Sequence, residues 1–358
     1  MTRAQKLTSA ILQQGADAAL ILSHENRFYV SGFSSSAGVV LLTKDTPYLL
    51  LDFRYFEAAQ KQVSDLTVVL YTKLSETLRE LFQKHAVSLV LCETGEVPYR
   101  EVKRMEEILS ELSCGVNLDG GLDRVLLNQR MVKDVFEIGK IREAQRITEE
   151  AFYEVLPKIR EGATEREIAL ELEFSMKRQG AQEVAFDLIV VAGEKSSLPH
   201  GVPGDNVIKK GVFVTMDIGA KLDGYHSDMT RTVAVGKVNE EQRAVYETVL
   251  KAQKAAIAAV KPGAVCKDID KIARDIIYGA GYEGCFGHST GHSVGLEIHE
   301  QPGFSPMDET VLSPGMIMTV EPGIYLPGRF GVRIEDMVAV TSGGCDDLTG
   351  VNRELIVL

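Results

Sequence analysis

The feature that most constrains this chain is an aspartate set inside an apolar strand. The stretch from Phe213 to Arg231 reads FVTMDIGAKLDGYHSDMTR. Val212 to Ile218 is apolar and rich in β-branched residues, the pattern of a buried strand. A polar, Gly-containing turn runs from Ala220 to Gly224, and Thr230 to Val235 reads as the returning strand. Asp217 stands in the first strand and Asp228 at the start of the second, eleven positions on. A carboxylate within an apolar strand is costly unless something cancels its charge. Two of them brought together by a hairpin repel unless a cation lies between them. On this stretch alone, a turn residue and a local cap stay open as the plainer reading.

Length and charge narrow the field. At 358 residues the chain exceeds what one core normally holds, so two domains are expected. A net charge of -12 disfavours nucleic acid or an anionic membrane as partner. No apolar run reaches the ~18 residues of a membrane helix. MTRAQKLTSAILQQG at the N-terminus lacks the apolar centre of a signal peptide, so a cytoplasmic protein is expected. The five cysteines are scattered without a CxxC pair, as free thiols in a reducing compartment would be. Cys285, three residues before His288, is a conceivable metal ligand, although small buried cysteines are common.

Residues 1–127 alternate short apolar runs with helical segments, which predicts a layered α/β domain with a structural or oligomer-forming job. The apolar runs pause at LNQRMVK, Leu127 to Lys133, where the domain boundary is placed, with the second domain over 134–358. There the spacing predicts helices over 134–159, 164–179, 240–260 and 265–280, the second opened by a Thr164/Glu167 capping box. Helix, helix, hairpin therefore occurs twice, a weak hint of internal duplication.

The chemistry gathers in the second half. GHSTGHSVGLEIHE, Gly287 to Glu300, holds three of the seven histidines, His288, His292 and His299, interleaved with Gly287, Gly291 and Gly295. Such glycines imply backbone brought close to something. Glu321 ends the apolar strand Met316 to Val320, and Glu335 lies in an expected strand from Gly331 to Val340, where alternation puts it on one face with Arg333. Two hairpins with two acids each, plus a histidine, make a ligand set suited to two hard or borderline divalent ions. Two other motifs fail on context. His299-Glu300 begins like HExxH, but Gly303 and Pro302 deny it the helix. Gly291 to Gly295 matches G-x-S-x-G without the strand and long helix of a nucleophile elbow.

Taken together, LPHGVPGDNVIKKG, MDIGAKLDGYHSDMTRT, GHSTGHSVGLEIHE, TVEPGIY and GVRIEDM resemble the pita-bread metallopeptidases, the family of methionine aminopeptidase, aminopeptidase P and prolidase. Residues 1–127 resemble the creatinase-type N-terminal domain, with Gly32-Phe33 and Asp52 to Tyr55 in familiar places. The resemblance implies an α/β (α+β) fold in which Asp217, Asp228, His292, Glu321 and Glu335 hold two divalent ions, Mn²⁺ or Co²⁺ ahead of Zn²⁺. Asp228 and Glu335 would bridge the pair around a shared water. His288 and His299 would face the substrate carbonyl and the tetrahedral intermediate, Glu321 would shuttle the proton, and His200 and Arg333 would bind substrate. It also implies a homodimer acting on short peptides with proline in second place. Prolidases often carry an Arg four residues after the counterpart of His299, where this chain has Gly303. The expected activity is therefore that of an Xaa-Pro aminopeptidase, with an Xaa-Pro dipeptidase as the alternative. A non-catalytic binding protein on the same fold and a metal-free amidinohydrolase are the rivals from other classes. Both would be expected to lose ligands, and all five are present.

Overall fold

The computed structural model describes residues 1–358 and divides into two units, Met1–Arg130 and Met131–Leu358. In the first, the short apolar runs become one six-stranded mixed sheet. Its central strand, Ala18–Ile21, pairs antiparallel with Val39–Thr43 and parallel with Leu89–Cys92. Pro47–Leu51 with Thr67–Leu70 extends one side and Gly115–Asn117 the other. Both faces of Ala18–Ile21 are buried, which is why it reads as a continuous apolar run and not as an alternation. Two helices escape the periodicity argument. His24–Ser31 is short and aromatic, and only its Ser23 cap and the left-handed Gly32 (φ +67°) mark its ends. The pause at 127–133 proves to be the close of a helix, Gly121–Met131.

The second unit holds two helix pairs, each on its own sheet. Helices Val135–Val155 and Glu165–Arg178 start at capping boxes formed by Asp134 with Glu137 and Thr164 with Glu167. Their apolar faces (Ile147, Ala151, Leu172, Met176) bury against Val190, Val214 and Met216 of a three-stranded antiparallel sheet. That sheet has Val212–Ile218 at its centre, Ile189–Ala192 on one side and Met229–Val235 on the other. Helices Glu240–Ala259 and Cys266–Gly279 pack through Val249, Ala256, Ile269 and Ala273 onto Phe304, Met318, Val320 and Val338. The sheet beneath them runs in the order Glu300–Phe304, Gly291–Ser293, Ile317–Val320, Asp336–Val340, Cys345–Asp347. No helix is long and apolar enough to cross a membrane.

Two departures from the expected pattern matter for function. The polar turn between the two aspartates contains its own small hairpin, Ala220–Leu222 with Tyr225–His226, closed by Asp223-Gly224, both at positive φ. That is the Asp-Gly two-residue turn that matches strand twist. The expected strand from Gly331 to Val340 is broken. Phe330–Arg333 pairs with Gly323–Leu326, Asp336–Val340 pairs with Ile317–Val320, and Ile334 and Glu335 lie at the break. Freed from both ladders, the Glu335 N–H donates to the Thr230 carbonyl instead (3.1 Å), laying one acid-bearing segment across the other.

The join between the aspartate hairpin and the small hairpin tolerates no side chain. A Cβ on Gly219 would sit 2.1 Å from the Ser227 carbonyl oxygen, whereas one on Gly279 would meet nothing within 4 Å. Gly219→Ala is expected to cost about 1–3 kcal/mol by overpacking, read as a lowered urea midpoint. Gly279→Ala should leave the midpoint unchanged or raised. Equal midpoints for both variants would show that the backbone at Gly219 yields freely.

Candidate active site

Thr230 lies opposite Asp217 in the antiparallel ladder, so the strand pairing itself brings Asp228 back beside Asp217. From the other direction, Glu321 leaves its strand with its N–H donating to the Thr290 carbonyl (2.8 Å), one residue from Gly291-His292. A Cβ on Gly291 would lie 2.0 Å from the Thr319 carbonyl oxygen, and Gly295 is similarly crowded by Glu300. Two of the three interleaved glycines thus allow close approach, while Gly287 faces open space.

All of the sequence-predicted residues line one cleft of about 600 Å³: Asp217, Asp228, His292, Glu321 and Glu335, with His200, His288, His299 and Arg333. Ligand atoms of Asp228, His292 and Glu335 all fall within 4.8 Å of one another. His292 Nε2 lies 3.5 Å from both Asp228 Oδ2 and Glu321 Oε1. The His292 Nδ1–H donates to the Ser293 carbonyl (3.1 Å), which leaves Nε2 as the free lone pair facing the acids. Asp217 Oδ2 accepts from Arg333 Nη2 at 2.6 Å. Asp217 Oδ1 and Asp228 Oδ1 are buried with no hydrogen-bond partner. Cys285 takes no part in the cleft and packs against the apolar core of the second helix pair.

The electrostatics point the same way. Burial, then the charges of Glu335, Asp217 and Glu321, pushes the Asp228 carboxyl well above the usual range. Glu335 is raised likewise, by burial and then by Glu321 and Asp217. Burial pushes Glu321 up to about 8, with Asp217 adding to the rise and Arg333 opposing it. Burial, assisted by neighbouring His299, drops His292 to about 4, which keeps its imidazole neutral. Acids that repel one another, orphaned carboxylate oxygens and an unprotonated imidazole nitrogen fit a divalent cation.

Several supporting residues lie outside what sequence reasoning found. Thr230 Oγ1 donates to Glu335 Oε2 (2.7 Å) and accepts from Arg333 Nε (3.1 Å). The Tyr325 hydroxyl accepts from Arg333 Nη1 (2.7 Å) and meets His288 Nε2 at 2.9 Å, while the His288 Nδ1–H donates to the Ser289 carbonyl (2.8 Å). Arg231, fully buried, donates to the carbonyls of Thr230 and Glu335 and to Asp336 Oδ1 (2.6 Å). The one available signal was local: MTRT and RIED place Thr230, Arg231 and Asp336 directly beside the acids.

A pH signature follows. Glu321 has a folded value of about 8 against an ordinary 4.5, so within that window the metal-free native state binds more protons than the unfolded one. Its contribution to stability is then complete below pH 4.5 and lost as pH rises towards 8. A divalent ion neutralises the ionised acids and removes the loss. The gap in Tm between Mn²⁺-loaded and EDTA-treated protein should widen from about pH 5 to about pH 8. A gap that stays constant or narrows over that range would contradict the assignment.

Comparison with known proteins places these features in a family. The profile of Metallopeptidase family M24 matches residues 139–342, and that of the Creatinase/Prolidase N-terminal domain matches residues 3–132. An Xaa-Pro dipeptidase of Pyrococcus furiosus is 40% identical over 99% of this chain and 99% of its own. The structure of an Xaa-Pro dipeptidase from Bacillus anthracis superposes with a TM-score of 0.94 at 39% identity, covering 99% of both chains. An X-Pro aminopeptidase from Thermotoga maritima superposes at 0.91 with 36% identity over 100% of each. With the two profiles between them spanning nearly the whole chain and relatives aligned end to end, the protein belongs to metallopeptidase family M24, its catalytic domain preceded by a creatinase/prolidase N-terminal domain.

Proposed function

We propose that the chain is an Xaa-Pro dipeptidase, hydrolysing the bond between an N-terminal residue and a C-terminal proline. The hydrolytic reading is carried by one observation: four acids and the Nε2 of His292 face one cleft in which two buried carboxylate oxygens lack partners. We assign Asp217, Asp228, His292, Glu321 and Glu335 as the residues that would hold two divalent ions. Mn²⁺ or Co²⁺ suits this donor set, ahead of Zn²⁺. Such ions supply a water of lowered pKa and polarise the scissile carbonyl. Glu321, whose carboxyl burial raises, accepts the proton of the attacking water on Oε and passes it to the leaving proline nitrogen. His299, edge-on to His292 with ring centres 4.5 Å apart, donates to the developing oxyanion. His288 lines the cleft beside the substrate carbonyl, both of its ring nitrogens engaged by Tyr325 and the Ser289 carbonyl, so it shapes the site and leaves the donation to His299. His200 and Arg333 bind the substrate.

The sequence favoured longer peptides, because Gly303 stands where many prolidases carry an arginine. The kinship to proteins named Xaa-Pro dipeptidase, at 39–40% identity over nearly the full length, supports the dipeptide reading better. Gly303 lines the cleft and is the observation that keeps the aminopeptidase as the second reading.

Two measurements test this. With Mn²⁺-loaded protein, kcat/KM for Ala-Pro should exceed that for Ala-Pro-Ala by about 100-fold, or ~2.7 kcal/mol of discrimination. Equal values, or preference for the tripeptide, would favour the aminopeptidase. Asp228→Asn should lose bound metal and lower kcat/KM by several kcal/mol, about 10³-fold, on either substrate. Wild-type metal content and turnover in that variant would remove Asp228 from the ligand set.

A further inference from the structure

One wall of the cleft is formed by a long loop. Between the end of strand Ile189–Ala192 and Ile208, the chain makes an excursion whose outer part holds Leu198, Pro199, His200, Gly201 and Val202. Pro199 and His200 line the cleft, and His200, Leu198 and Val202 are exposed. A side chain at an exposed loop tip is only as well placed as the base of its loop.

That base closes on a single carboxylate. Glu165, at the first position of helix Glu165–Arg178, is 0% exposed, and the hydrolytic mechanism does not use it. Its Oε1 accepts from the Ala192 N–H (2.8 Å) and from Asn206 Nδ2 (2.8 Å). Its Oε2 accepts from Lys195 Nζ (2.6 Å) and from the Gly204 N–H (3.1 Å). Ala192 and Lys195 belong to the outgoing arm, and Gly204 and Asn206 to the returning one. The arms are also tied directly: Lys195 Nζ donates to the Val202 carbonyl (2.6 Å), and Asn206 Nδ2 to the Ala192 carbonyl (3.2 Å). A buried carboxylate needs donors all round to be tolerated. Here those donors are supplied by the two arms of one loop, so satisfying the charge and closing the loop are the same event.

We infer that Glu165 is a positioning residue for substrate binding, fixing His200 at the cleft by clamping both arms of its loop. The inference rests on the assignment of His200 to the substrate. A glutamine at 165 keeps the volume and one acceptor oxygen, but whichever oxygen its NH₂ group replaces, that group faces one donor from each arm, and the charge that holds Lys195 is removed. The loop base loosens while the acids and His292, on other elements, stay in place.

The test uses the Mn²⁺-loaded full chain with Ala-Pro. Glu165→Gln should raise KM about 10-fold with kcat within about 2-fold, the pattern of lost binding without lost chemistry, and with metal content unchanged. His200→Ala should raise KM similarly, and adding Glu165→Gln to it should raise KM no more than about 2-fold further, because both changes remove one interaction. Full additivity, or a loss confined to kcat, would overturn the inference by making Glu165 a general stabiliser. If His200→Ala leaves KM unchanged, the assignment of His200 fails, and hydrogen exchange judges the clamp separately. Glu165→Gln should then speed exchange across 193–205 about 10-fold while helix Glu240–Ala259 stays protected. Uniform acceleration or none would sink the clamp itself. Should Glu165→Gln not fold, Lys195→Met, which removes one donor to Glu165 and one tie between the arms, must raise KM in the His200 protein and not in His200→Ala.

Discussion

Repulsion between buried carboxylates is the constraint on which this structure turns. Two like charges about 4 Å apart at an effective dielectric near 20 repel by ~4 kcal/mol, and Asp217, Asp228, Glu321 and Glu335 share one cleft. Left to itself, such a group relieves the strain by moving apart or by taking up protons. The raised carboxyls of Asp228, Glu321 and Glu335 show the second response, so the surroundings must block the first. What blocks it is a set of rigid attachments. Thr230 holds Glu335 by side chain and backbone at once, Arg333 holds Asp217, and strand pairing fixes Asp228. The cost is met when a cation binds, which makes the frame and the ion parts of one energetic arrangement.

Behind the acids, a shell of buried charge fixes orientation. Arg231 binds the backbone on both sides of the crossing, the Thr230 and Glu335 carbonyls, and also the Asp336 carboxylate, which Gln253 and Arg353 complete. Lys133 donates to Ser293 and Glu300, flanking the His292 and His299 positions. Asp270 accepts from the Thr290 N–H and hydroxyl and pairs with Arg274, which donates to the His288 carbonyl. Buried ion pairs are weak evidence for stability, since desolvation offsets much of the attraction. Their directionality is the better explanation here: each one ends on, or within two residues of, a candidate ligand or histidine.

How far the sequence disclosed all this depends on whether the signal was local. Asp217 stood out because a charge in FVTMDI is expensive wherever that strand goes, and the capping box at Thr164/Glu167 fixes a helix start within a few residues. Likewise, GHSTGHSVGLEIHE concentrates histidines and glycines too densely to be incidental. The break at Ile334 and Glu335 was not legible, because alternation continues through it and only the competing Thr230 carbonyl explains it. Nor was Tyr325, whose partners lie 8 and 37 positions away. Helix His24–Ser31 was missed because tertiary burial of Asn26, Arg27, Tyr29 and Val30 stabilises a segment without a clean apolar stripe.

The cleft also limits how substrate length can be read. A dipeptide differs from a longer Xaa-Pro peptide by a free carboxylate after proline, which a guanidinium recognises best. Arg333 is the one arginine lining the cleft, yet four of its five N–H donors are spoken for, by Thr230, Tyr325, the Pro199 carbonyl and Asp217. It cannot hold a carboxylate bidentately without releasing one of these four partners, each of which helps fix the cleft wall or the acid set. Gly303 offers no side chain. Under the proposed dipeptidase activity, selectivity would have two remaining physical sources: charge from His299, or exclusion of chain beyond proline by the loop that carries His200. The first depends on protonation of His299, whose pKa burial lowers, so it fades as pH rises. Exclusion is a steric penalty against the longer substrate and not an attraction for the shorter one, and it persists across pH. The clamped base at Glu165 is what exclusion would require, since a loop that moves cannot reject.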